Sequence, residues 1–157
     1  MKKSDLGDVF SLQREFEFYL QGLTDKPRKT SIAEQERRFF KDGFGKNPAF
    51  RGIVARDRGK LLGYLCYHFG YDPDEMKGRV VYVIDLFVTN EARARGVGTL
   101  LMGSVARLCS SVGGIAVYVC VWKKNKKAIR FYKSIGAEWV TDVPLMAWES
   151  SKWKSAL

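Results

Sequence analysis

Arg93, Gly96 and Gly98 stand in the spacing R-x-x-G-x-G, directly after the apolar run VVYVIDLFV (Val80 to Val88) and directly before the helical run VGTLLMGSVARLCSSV. A strand that feeds a helix through small residues leaves the first helical amides without acceptors. It also lets an anion approach the backbone, so the spacing predicts a phosphate-binding turn, or at the least a basic turn that caps a helix. Neither common nucleotide loop fits. A dinucleotide fingerprint requires G-x-G-x-x-G, whereas Gly98 is followed by Thr99, Leu100 and Leu101, and the G-K-[ST] ending of a P-loop is absent. A single charge, Asp85, interrupts the strand. A carboxylate inside an apolar strand serves packing poorly, so Asp85 is a candidate for chemistry; the alternative is a structural Asp paired to backbone or Arg.

A second cluster lies one strand downstream. In NKKAIRFYKSIGA (Asn125 to Ala137), Ala128, Phe131, Tyr132 and Ile135 recur at helical spacing, and Gly136 can end the helix. Ile115 to Trp122, IAVYVCVW, reads as a buried strand between the two clusters. The unit is therefore strand, anion-binding turn, helix, strand, short helix.

In order and spacing these residues resemble the GNAT N-acetyltransferase superfamily, with its [RQ]-x-x-G-x-[GA] motif after the fourth strand and an N-x-x-A-x-x-F-Y segment after the fifth. The likeness runs from Val80 to Trp148. It implies a mixed α/β fold: a central, mostly antiparallel mixed sheet splayed between strands four and five and flanked by about four helices. It also implies acetyl-CoA as co-substrate, without a metal. The pyrophosphate would lie over the amides of Arg95 to Thr99, with Ala94, Gly96, Val97 and Gly98 in the same turn and Arg93 adding charge. A kink or bulge would free backbone N–H groups near Leu86, Phe87 and Val88 for the pantetheine arm and the thioester carbonyl. Asn125, Ala128 and Phe131 belong to the same cofactor site, and the resemblance gives Tyr132 the role of proton donor to the CoA sulfur.

Within the family, IDLFV resembles the E-D-[FLI]-[FY]-V strand of diamine and polyamine (spermidine/spermine-like) acetyltransferases. Asp85 matches the second position, but Ile84 replaces the carboxylate that serves as base through water. Asp85 is thus the candidate for the acceptor side, with His68 on the preceding strand as a second candidate. The resemblance points to a primary amine of a small molecule, such as a diamine, polyamine or amino acid, attacking directly in a ternary complex. A protein or peptide N-acetyltransferase and a non-catalytic CoA-binding domain are the alternatives. Members often dimerise, so a homodimer is an expectation of the resemblance.

Composition bounds these readings. With 157 residues, of which 46% are hydrophobic, the chain suits one domain over its whole length, 1–157. No apolar run approaches the ~18 residues of a membrane span, and MKKSDLGDVF has no signal-peptide core, so a cytoplasmic protein away from membranes is expected. Cys66, Cys109 and Cys120 lack metal-ligand spacing and read as buried free thiols. The net charge of +10 raises nucleic-acid binding, but no aromatic and basic residues alternate as a stacking platform, so no nucleic-acid partner is expected. Six of the eleven residues from Lys123 to Lys133 are basic and flank the second cluster, which suits an anionic cofactor.

The remaining elements frame the site. Val9, Leu12, Phe16, Tyr19 or Leu20 and Leu23 make the apolar stripe of a helix from Asp5 to Leu23, and Ser31 with Glu34 caps a second helix, IAEQERRFFKD. The family usually has a strand before the first helix, and only Met1 to Lys3 precede it here. The first two helices and their loop border the acceptor site in this fold, and their charges are mixed: Glu15, Glu17 and Asp25 beside Lys26, Arg28 and Lys29. GIVAR and KLLGYLCYHF read as a hairpin turning at Asp57-Arg58-Gly59, and EWVTDV and PLMAWES as two last strands.

Overall fold

A computed structural model describes residues 1–24, 30–72, 77–141 and 146. Four strands, β1 (Arg51–Asp57), β2 (Lys60–Tyr71), β3 (Arg79–Val88) and β4 (Ala116–Val119), form one sheet in that order. β1/β2 and β2/β3 are antiparallel; β3/β4 is parallel. The predicted hairpin turns at Arg58-Gly59. Four α-helices surround the sheet: α1 (Leu6–Gln21), α2 (Ile32–Phe44), α3 (Val97–Ser111) and α4 (Lys126–Ser134). A 3₁₀ turn, Lys3–Asp5, leads into α1, and among the described residues no strand precedes it.

The apolar residues of each strand divide between the two faces of the sheet. Leu65 and Tyr67 of β2 and Val81 and Val83 of β3 pack with Leu101, Val105 and Cys109 of α3. Tyr64 and Cys66 of β2 pack on the other face with Val9 and Leu12 of α1. On β3 the alternation breaks once. Val83 pairs with Tyr67 and Asp85 with Cys66, so Ile84 is an extra residue, a β-bulge. Beyond it the even-numbered residues Leu86 and Val88 take the α3 face, and Phe87 joins the α1 cluster. A one-residue slip exchanges the faces of every following side chain. The bulge therefore sends Asp85 towards α1 and α2 instead of into the α3 core.

The same region opens the sheet. β4 pairs with β3 only from Val80↔Ala116 to Val83↔Val119, so the last half of β3 has no neighbour on that side. This is the expected splay. It also corrects the long strand expected from Ile115 to Trp122: Cys120 to Trp122 lie past the point where β3 diverges and find no ladder. Cys66 and Cys109 are buried as expected, but Cys120, beyond the ladder, is exposed.

The Ser31 cap is present, with its Oγ accepting from the Glu34 amide at 3.2 Å. Arg56 bonds Asp5 at 3.0 Å and Asp8 at 2.9 Å, latching the start of α1 to the β1/β2 hairpin. Residues 138–141 of the expected strand EWVTDV are not in a strand. The rest of EWVTDV and PLMAWES, apart from Met146, lies outside the described residues, as do Asp25, Lys26, Arg28 and Lys29. Among the described residues no helix is long and apolar enough to cross a membrane.

Candidate functional site

The turn after β3 has the geometry of an anion cradle. Ala94 (φ 59°) and Gly96 (φ 80°) both take the left-handed conformation, which turns successive backbone N–H groups to one side. The first amide bond of α3 runs from Leu100 N–H to Gly96 C=O at 2.9 Å, so the amides ahead of Leu100 have no helical acceptor. Arg93 folds back over the turn. Its Nε donates to the Val88 carbonyl at 3.0 Å, and its guanidinium stands 5.6 Å from the ring centroids of Tyr19 and Phe87. The cation is thereby held at the mouth of the turn.

Backbone groups of β3 complete this wall. Thr89 N–H donates to Leu62 C=O across β2 at 2.9 Å. In an antiparallel pair alternate residues face the same neighbour, so Phe87 and Asp85 turn their backbone groups to β2 while Leu86 and Val88 turn theirs into the splay. Of the three amides expected to be free, those of Leu86 and Val88 fit the expectation. Phe87 contributes its side chain instead.

The second motif closes the opposite wall. Asn125 caps α4: its Oδ1 accepts from the Ala128 amide at 3.1 Å and from the Tyr19 hydroxyl at 2.8 Å, tying α1 to α4. Gly98 faces Phe131 so closely that an added Cβ would come within 3.1 Å of the ring. The two motifs thus meet in space, and between them runs a cleft of about 510 Å³. Its lining includes all the expected cofactor residues but one: Leu86, Phe87, Val88, Arg93, Ala94, Gly96, Val97, Gly98, Thr99, Asn125, Ala128 and Phe131, together with Tyr132. Arg95 is exposed and outside the lining. Phe16 and Tyr19 of α1 also line the cleft. In the sequence they merge into the apolar stripe, where a ligand-facing aromatic and a core one look alike.

Asp85 does not line that cleft. It opens into a second one of about 310 Å³, formed by Gln13, Phe16 and Glu17 of α1, Arg38, Phe39 and Asp42 of α2, and Tyr64 of β2. Phe16 lines both, so the two clefts are neighbours at its side chain. Burial, and to a lesser degree the Glu17 charge, pushes the Asp85 carboxyl up from 3.8 to about 6. Burial and the Asp85 charge push the Tyr132 phenol up from 10.0 to about 12. The Asp85 charge is thus felt by Tyr132 in one cleft, and Asp85 itself feels the charge of Glu17 in the other. His68 stacks on Tyr82 at 5.1 Å between centroids and lines neither cleft.

Comparison with known proteins agrees with this architecture. The family model described as Acetyltransferase (GNAT) family matches residues 10–137. The chain is 33% identical over 149 residues to mouse (Mus musculus) thialysine N-epsilon-acetyltransferase, covering 90% of this chain and 83% of that one. It is 30% identical over 104 residues to a human spermidine/spermine N(1)-acetyltransferase-like protein, covering 62% of this chain and 15% of that one. Among solved structures, an integron cassette protein from V. cholerae superposes with a TM-score of 0.78 at 25% identity, over 96% of this chain and 90% of that one. A turn with the geometry of an anion cradle, an open strand edge leading from it and a family match over most of the chain agree: the protein belongs to the GNAT acetyltransferase family and is an N-acetyltransferase with acetyl-CoA as its co-substrate.

Proposed function

We propose that the protein acetylates a primary amine of a small cationic molecule, of the kind represented by thialysine or a polyamine, with Asp85 receiving the amine and Tyr132 protonating the departing sulfur. The observation that carries this reading is the pair of neighbouring clefts that share Phe16, with a carboxylate in one and a phenol, which feels that carboxylate's charge, in the other. The larger cleft suits acetyl-CoA: unpaired amides and Arg93 for the diphosphate, then the Leu86 and Val88 backbone for the amide-bearing arm. The smaller cleft carries Glu17, Asp42 and Asp85 against Arg38, whose guanidinium is engaged by Glu34. That balance favours a cation. An amine must be neutral to attack, and a carboxylate with a raised proton affinity is a better acceptor for its proton than an ordinary one. The names of the relatives, which specify amines of small molecules, support the same class.

The test is release of CoA thiol from acetyl-CoA with thialysine, diamines, polyamines, aminoglycosides and peptides as acceptors. Turnover with small aliphatic amines, and none with peptides, is the expected result; the reverse would overturn the acceptor class.

The Gly98–Phe131 contact yields a separate expectation for the cofactor. An added Cβ would stand 3.1 Å from the Phe131 ring, a few tenths of an ångström inside an ordinary contact, so Gly98→Ala presses that ring outward. CoA affinity should fall roughly tenfold, for a misfit of about 1 kcal/mol or more, with the acceptor Michaelis constant little changed. Calorimetric titration with CoA measures it, and wild-type affinity would show that α4 yields freely there.

A further inference from the structure

One wall of the acceptor cleft carries charges to which acetyl transfer gives no task. Arg38 and Asp42 stand one helical turn apart on the same face of α2, and both line the cleft that holds Asp85. Arg38 bonds Glu34, a residue outside that lining. The pair lies on the surface, with the Arg38 side chain 61% exposed, where an ion pair contributes little and exchanges readily. Among the described residues no side-chain hydrogen bond or ion pair holds the Asp42 carboxylate. Phe16, Phe39 and Phe50 share the lining, and such rings suit an alkyl or thioether chain. At about 310 Å³ the cleft is near the lower end of small-molecule sites.

A guanidinium and a carboxylate side by side complement a zwitterion. The guanidinium pairs with a carboxylate in fork geometry and repels a second or third ammonium. We propose that α2 carries an amino-acid clamp: Arg38 takes the α-carboxylate, and Asp42 the α-ammonium, of an amino acid whose side-chain amine reaches Asp85. The proposal rests on the reading of Asp85 as the carboxylate that receives the reacting amine. It narrows the acceptor from small cationic amines in general to α-amino acids that end in a primary amine, of which thialysine is one, and it makes polyamines the poorer acceptors.

The charges balance on both sides of the exchange. Arg38 gives up the Glu34 carboxylate and gains that of the substrate, while Asp42 gains a partner that it lacks in the free protein. The clamp also selects which amine reacts. An α-amine held as ammonium by Asp42 has no lone pair for attack, whereas the side-chain amine can give its proton to Asp85. Arg38 and Asp42 are specificity residues; neither touches the reacting atoms.

Thialysine and the diamine left when its carboxylate is removed differ only in the group assigned to Arg38, so the two acceptors are compared in the full chain with acetyl-CoA. The wild type is expected to favour thialysine in kcat/KM by roughly tenfold or more, and to acetylate it on the side-chain amine. Arg38→Gln should raise the thialysine Michaelis constant roughly tenfold while those of the diamine and of acetyl-CoA stay within about twofold. Glu34→Gln breaks the same surface pair but keeps the guanidinium, and should not raise it. Asp42→Asn should raise the constants of both acceptors, since each brings an ammonium to that side chain. The clamp is overturned if Arg38→Gln leaves thialysine unchanged, shifts thialysine and the diamine alike, or is matched by Glu34→Gln. Asp85→Asn separates the two levels. If it impairs turnover of both acceptors while the wild type shows no preference for thialysine, this inference fails alone; if Asp85→Asn is without effect on either, the underlying reading fails.

Discussion

Tyr132→Phe is expected to lower kcat by roughly 10²- to 10⁴-fold, the range for loss of a positioned general acid, while the acetyl-CoA Michaelis constant moves by less than about twofold. The substitution removes one oxygen and keeps the ring, which packs against Phe131 with centroids 5.3 Å apart on the wall of the cofactor cleft. On the proposed reading cofactor binding rests on the turn from Ala94 to Thr99 and should be indifferent to that oxygen. The leaving thiolate should not be. Burial, reinforced by the Asp85 charge, pushes the Tyr132 phenol up to about 12, so it keeps its proton throughout the range in which the enzyme can be assayed. It follows that Tyr132 contributes no alkaline limb below about pH 10. Steady-state kinetics across pH, paired with calorimetric CoA binding, check both halves, and an unchanged kcat would remove Tyr132 from the chemistry.

What could be read in advance follows the same division between chemistry and packing. Arg93, Gly96 and Gly98, and then Asn125, Ala128, Phe131 and Tyr132, are legible because a diphosphate, a close helix approach and a cap each demand particular residue types at fixed offsets. The bulge at Ile84 was expected in kind but not in place. VVYVIDLFV is apolar on both faces, so its alternation carries no mark of the register slip. The face taken by Asp85 is a consequence of that slip and was equally hidden. Phe16, Tyr19 and Tyr64 lie in apolar patterns that serve core and cleft alike, and only the fold separates the two uses. The length of β4 was overestimated because IAVYVCVW has strand composition throughout, while its ladder ends where β3 turns away at Val83.

Asp85→Asn should produce effects of opposite sign on activity and stability. On activity, loss of the carboxylate removes, on the proposed reading, both the counter-charge for the acceptor and the group that takes its proton. A fall in kcat/KM of roughly 10²-fold or more is expected, along with loss of the acid limb near pH 6 that the wild type should show. On stability the sign follows from the direction of the shift. The carboxyl is raised from 3.8 to about 6 on folding, so ionised Asp85 is a burden on the native state, worth about 3 kcal/mol when fully expressed. The burden is complete well above pH 6 and is relieved as pH falls through that value towards 3.8, below which the side chain is protonated in the folded and unfolded chain alike. Asparagine never carries it, though the buried amide must find its own partners at a cost of about 1 kcal/mol or more. The variant is therefore expected to melt a few degrees above the wild type at pH 8, with the gap closing by pH 4. Thermal melts of both proteins at those two pH values measure it. A variant that melts below the wild type at pH 8 would mean that the Asp85 carboxylate is a satisfied structural group, and its place on the acceptor face would then lose its electrostatic meaning.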